Sequence, residues 1–112
     1  MSVYKKMVKS IEDKNLSDYL NLLHKDYVFV RHQMGESVPK KEWEVTVTGM
    51  FNAMGEGKLT FSENRCLYEN NDILVMHNMG SFPDGSKEAI MAVHTVKDGK
   101  IIRTESGATP IK

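Results

Sequence analysis

The chain has 112 residues and carries 15 basic against 15 acidic side chains, so its formal charge is zero. That balance excludes nucleic-acid binding by bulk electrostatics, and no apolar run approaches the roughly 20 residues that span a bilayer. With 40% hydrophobic and 27% charged residues, the composition is that of one globular domain, residues 1–112, not of a disordered tail.

The opening MSVYKKMVKSIEDKN is polar and has no apolar secretory core. A single cysteine, Cys66, has no partner for an internal disulfide. Both features point to a cytoplasmic, reducing setting, with neither nucleic acid nor membrane as a partner. Cys66 reads as a small, half-buried hydrophobe in a strand rather than as a reactive thiol.

Tyr4, Met7, Val8 and Ile11 recur at helical spacing. Asp13-Lys14-Asn15 breaks that pattern. Asn15 then suits the cap of a second short helix, with Asp18 supplying negative charge to its first turn. The apolar positions of that helix are Leu16, Tyr19, Leu20 and Leu23, and His24 stands at its end. Tyr27–His32 (YVFVRH) is β-branched and aromatic, the composition of a strand. Met34–Val38, with Gly35, reads as a loop, and Pro39 opens the next helix. Trp43, Val47, Met50, Phe51 and Met54 follow at i, i+4, i+7, i+8 and i+11, the strongest periodic signal in the chain. Gly55 and Gly57 end it.

From Lys58 the chain is strands and turns. The strands are Leu59–Tyr68, Ile73–Phe82, Glu88–Lys97 and Lys100–Ala108. Asn70-Asn71-Asp72, Pro83-Asp84-Gly85-Ser86 and Asp98-Gly99 are the turn signals between them. The order predicts an α+β fold. A curved antiparallel sheet wraps the long helix, two further N-terminal helices help cover it, and a cone-shaped pocket remains between sheet and helix.

Three segments carry a family resemblance: LSDYLNLLHKDYVFV, VPKKEWEVTVTGMFNAM and FPDGSKEAIMAVHTVKDGKIIRTES. Together they resemble the nuclear transport factor 2-like superfamily (cystatin-like roll), in its SnoaL-like, polyketide cyclase-like and ketosteroid-isomerase-like branch. The resemblance covers essentially the whole chain. It implies a ligand-binding cavity, a homodimer formed through the outer face of the sheet, and one of several activities: isomerase, cyclase, dehydratase, epoxide hydrolase or non-catalytic binding module. Fold alone does not choose among them. The tyrosine and two aspartates of ketosteroid isomerases fall near Met7, Arg31 and Ala92, none of which is Tyr or Asp. Steroid isomerisation by that residue set is therefore not expected.

The resemblance also implies which strand faces look inward: Ile90, Ala92, His94 and Val96 on one strand, and Ile102, Thr104 and Ser106 on the next. Met91, Val93, Ile101 and Arg103 then face out. His94 is the first acid–base candidate, since a neutral imidazole exchanges protons near pH 7; its bland reading is a satisfied core histidine. His77 joins it if the intervening loop has two residues and lies on the opposite face if it has three. Arg31 and His32 end the first strand at the rim, one of them pointing inward, as a charge stabiliser or as solvated charge.

Tyr27, Phe29, Trp43, Phe51 and Tyr68 offer aromatic cavity walls, and eight methionines suit a greasy pocket or simply a Met-packed core. Thr104 and Ser106 would orient a ligand. Clustered Cys/His spacing is absent, so neither metal nor cofactor is expected. The sequence therefore predicts a small-molecule pocket protein. Its chemistry would be cofactor-free proton transfer on a small apolar organic substrate, by His94 with His32 or Arg31. Tyr27, Phe29, Trp43, His77, Thr104 and Ser106 would contact the ligand. A non-catalytic binding, dimerisation or protein-interaction module is the alternative.

Overall fold

The Ser2 hydroxyl accepts from the Lys5 N–H and opens the first helix, α1 (Val3–Glu12), in a computed structural model that describes residues 2–112. Asn15 caps α2 (Leu16–Leu20) by accepting from the Asp18 N–H. α2 stops sooner than its apolar spacing predicts. The Leu22 N–H closes back onto the Tyr19 carbonyl, and the Leu22 carbonyl accepts from the Ile101 N–H. The chain is thereby captured into β1 (Leu23–Arg31). His24 is therefore not at a helix end; it lies in a strand, where its Nδ1 accepts from the Asp26 N–H.

A 3-10 turn, His32–Met34, and a left-handed Gly35 (φ 62°) reverse the chain. The expected loop is partly a strand: Glu36–Pro39 forms β2, antiparallel to β1 from Arg31↔Glu36 to Val28↔Pro39. Its four residues sit at the sheet edge, where Pro39 costs no ladder bond. Pro39 then caps α3 (Lys40–Gly55). The periodic stripe of α3 is its buried face: Trp43, Val47, Phe51 and Met54 are in the core, whereas Val45 is 74% exposed.

β3 (Thr60–Glu69), β4 (Ile73–Ser81), β5 (Lys87–Lys97) and β6 (Lys100–Ile111) form the meander. The sheet runs β2-β1-β6-β5-β4-β3. It is antiparallel except where β1 lies parallel to β6, a pairing that consecutive hairpins do not foretell. β5 and β6 join at Asp98-Gly99, both with positive φ (53° and 75°), and Lys97 pairs with Lys100. This is the two-residue hairpin turn that favours Asp-Gly.

Register decides which side chains reach the interior. Thr95 pairs with Arg103 but Val96 pairs with Ile101, so Ile102 is an extra, bulged residue. The bulge reverses the expected alternation. Ile101 is fully buried in the core, while Ile102 is only half-buried. Between β4 and β5, Phe82 N–H bonds the Ser86 carbonyl and Gly85 N–H bonds the Phe82 carbonyl. The loop is thus the three residues Pro83-Asp84-Gly85. The register becomes Leu74↔His94 and His77↔Met91. β3 carries two irregularities, one with Glu63 at φ 54°. On this uneven edge strand Cys66 is exposed, not half-buried, and Tyr68 is 57% exposed rather than lining a cavity.

Candidate functional site

Between the inner face of the sheet and α3 lies a cavity of about 620 Å³, lined mainly by apolar side chains. Gln33, Met34 and Pro83 are exposed lining residues and mark its mouth. The Gln33 Oε1 accepts from the Ala108 N–H and ties this rim to β6. Inside, Phe29 and Trp43 stack face to face, 3.9 Å between centroids and 5° between planes. Tyr19 tilts against Phe51 at 5.5 Å. Met7, Arg31 and Ala92, near which the sequence pattern puts the ketosteroid-isomerase set, all line this cavity. They bring to it neither a phenol nor a carboxylate.

The polar groups of the wall converge at one end. Trp43 Nε1–H donates to the Tyr19 hydroxyl at 3.1 Å. The Tyr27 side chain lies near those of Tyr19 and Thr104. Thr104 Oγ1 and His94 Nδ1 share a 2.7 Å hydrogen bond. Inward alternation along β1, β5 and β6 places Tyr27, His94 and Thr104 on one face. His94 is 6% exposed, and its Nε2 has no hydrogen-bond partner among the described residues. Burial pushes the imidazole down to about 4, so it is neutral at pH 7. Burial likewise pushes Tyr19 up to about 12 and raises Tyr27 further still. The whole polar end is uncharged.

The other sequence-predicted residues divide clearly. Phe29, Trp43, Thr104 and Ser106 line the cavity with His94 and Tyr27. Arg31 lines its rim, 5.5 Å over the Phe29 ring and 3.9 Å from Glu36. His32 does not line it. The 3-10 turn carries His32 into solvent, 3.9 Å from Glu105, itself bonded by Arg103 at 2.7 Å. His77 is not a cavity residue either. The three-residue loop sets its register opposite Met91, on the outer face, away from His94.

Several cavity residues escaped the sequence reading, Glu88, Asn78 and Tyr19 among them. Glu88 shares the parity of Ile90, Ala92 and His94, so alternation contained the signal. Asn78 shares that of Leu74 and Met76, and its amide donates to Asn64 Oδ1 at 3.0 Å. Tyr19 carried only a helical-stripe signal, which does not show where its hydroxyl points. Among the described residues no group of three or more His, Cys, Asp or Glu is placed to hold a metal ion, and no helix is long and apolar enough to cross a membrane.

Comparison with solved structures finds the same architecture. A nuclear transport factor 2-like protein of unknown function from Mesorhizobium loti superposes with a TM-score of 0.79 at 11% identity, covering 96% of this chain and 88% of that one. A candidate ketosteroid isomerase from Kribbella flavida gives 0.76 at 14% identity, covering 98% and 77%. A nuclear transport factor 2-like protein of unknown function from Burkholderia xenovorans gives 0.73 at 10%, covering 98% and 82%. No curated protein matches the sequence at a significant level. At such identities these structures speak for the fold alone. The sequence itself matches the SnoaL-like domain over residues 4–104, and the chain belongs to that family.

Proposed function

We propose that this chain binds a small apolar organic molecule in the cavity and moves a proton on it without a cofactor, as in an isomerisation, cyclisation or dehydration. The observation that carries this reading is a neutral, buried imidazole with an unpartnered Nε2 in the wall of an otherwise greasy cavity. Apolar walls with a few convergent polar groups are the usual makeup of a ligand site. His94 is the proton-exchanging group, Arg31 stabilises charge at the rim, and Thr104 and Ser106 orient the ligand. A cytoplasmic setting suits the exposed thiol of Cys66.

The test uses 1-tetralone in deuterated buffer. The protein accelerates deuterium uptake next to the carbonyl, and His94→Gln lowers that acceleration about a hundredfold while leaving the fold unchanged by circular dichroism. Equal rates for the two proteins would sink the proton-transfer role and leave binding alone.

The outer face supports a second element of the proposal, association with a second copy. Met91 is 47% exposed there, in the row Ala89, Met91 and Val93, beside the half-buried Val75 and Met79 of β4. A solvated sheet face normally alternates to polar residues. Sedimentation velocity at micromolar concentration should show a dimer, and Met91→Glu should dissociate it. A monomeric native protein would refute this.

A further inference from the structure

Gly80 interrupts β4 without needing a glycine's backbone freedom, since its φ is not positive. The ladder passes it without a bulge, from Asn78↔Ile90 to Ser81↔Lys87 on one side and from Thr60↔Ser81 to Ser62↔Met79 on the other. A strand glycine with no bulge or bend marks a place where another group comes close. Here that group is the ring of Phe82. A methyl placed on Gly80 would stand 2.9 Å from Phe82 Cζ, 3.0 Å from its Cε2 and 3.2 Å from Ile90 Cδ1. Carbon atoms pack at roughly 3.5–4.0 Å. The close atoms are the outer end of the ring, so the ring and not the backbone would give way.

The backbone of Phe82 is held at both of its polar groups. Its N–H donates to the Ser86 carbonyl, and its carbonyl accepts from the Gly85 N–H. Asp84 closes the same loop by accepting from the Ser86 N–H at 2.9 Å and from the Ser86 hydroxyl at 2.6 Å. The freedom left is in the ring, which meets Phe61 edge-on, 6.4 Å between centroids at 89°. Gly80 has the parity of Leu74, Met76 and Asn78, so its bare position faces the interior. Phe61 and Phe82 line the cavity there, beside the exposed Pro83 at its mouth. The Leu74↔His94 row and the Gly80↔Glu88 row are six residues of β4 apart, about 20 Å of strand. A cavity of about 620 Å³ that reaches both rows is long and narrow, with His94 at the inner end and Phe82 at the outer.

We infer that Gly80 and Phe82 set the length of ligand that the cavity accepts: the ring, seated on the bare backbone of Gly80, is the end stop for an apolar chain whose one polar head lies at His94. This rests on the ligand-binding reading above and names its ligand class, elongated and apolar with a single uncharged polar end. The head belongs at His94 because the buried Nε2 there has no partner among the described residues.

Calorimetric titration with the unbranched alcohols from 1-hexanol to 1-dodecanol tests the stop. A hydroxyl both donates and accepts, so it meets Nε2 whichever ring nitrogen carries the proton. Each added methylene should tighten binding about fourfold until the chain reaches Phe82, where the affinity should level off. In Phe82→Ala the levelling should vanish at that length, and the next methylene should again add about fourfold. Gly80→Ala should lift the ring off the sheet into the bore and bring the levelling to a shorter chain. The double variant should behave as Phe82→Ala does, because the added methyl then has no ring to move. A general loosening of the strand would not be rescued in this way.

A native series that never levels, or a levelling point that stays put in both single variants, overturns the inference and leaves the ligand-binding reading standing. If the native protein binds none of the alcohols, both fall. If Phe82→Ala does not fold, the shift in Gly80→Ala decides alone.

Discussion

Between pH 6.5 and pH 4 the protein should lose about 3 kcal/mol of stability through His94 alone. Its pKa falls from the ordinary 6.5 to about 4 because the imidazole is buried. In that window the unfolded chain binds a proton at this position and the folded chain does not. Stability therefore rises with pH through the window and is complete above the unfolded pKa. Acidification through the window pulls the equilibrium towards the unfolded state. Carboxylates such as Glu105, held below the usual range chiefly by its hydrogen bond from Arg103, weaken the fold in acid too. A comparison with His94→Gln cancels their part. Urea midpoints at pH 7 and pH 4 should fall further in the native protein than in the variant. Parallel losses would mean that His94 protonates without unfolding, and hence that water reaches its Nε2.

The fold was legible where burial imposes a period. Trp43, Val47, Phe51 and Met54 form a stripe because one side of α3 is buried along its length. Asp98-Gly99 was legible because few dipeptides adopt positive φ twice in succession. Register was not legible to the same degree. A bulge adds one residue and leaves no mark in composition. Ile101 and Ile102 are chemically alike, so nothing local says which of them the core takes. β2 escaped because its four residues include Ser37 and Pro39, and an edge strand asks for little pairing.

The site divides in the same way. The inward faces of His94, Thr104 and Ser106 came from the family resemblance together with strand alternation, which holds between bulges, and Tyr27 and Phe29 came from their aromatic character. His77 turned on whether one loop has two residues or three, and Pro83-Asp84-Gly85 forms the longer one. His32 was placed by continuing β1 one residue too far; its ladder ends at Arg31 and the next residue begins a 3-10 turn. The place of Tyr19, whose hydroxyl accepts from Trp43, depends on how a five-residue helix docks against α3. That is a tertiary fact with no one-dimensional trace.

Trp43→Ala should cost about 3–5 kcal/mol, a large part of the roughly 5–15 kcal/mol that holds a domain together. Trp43 is 5% exposed, stacks on Phe29 at 3.9 Å and donates to Tyr19. Alanine removes both interactions and enlarges a cavity that already exists, where the surroundings have little to collapse onto. Trp43→Phe separates the two contributions. It keeps an aromatic face for Phe29 and deletes only the N–H donor, so its cost should be closer to the ~1 kcal/mol of one hydrogen bond together with a small volume loss. Chemical denaturation of the three proteins at pH 7 measures both differences. If phenylalanine costs as much as alanine, the hydrogen bond to Tyr19 and not the ring stack anchors this wall. That hydrogen bond would then be part of what holds α2 and α3 together.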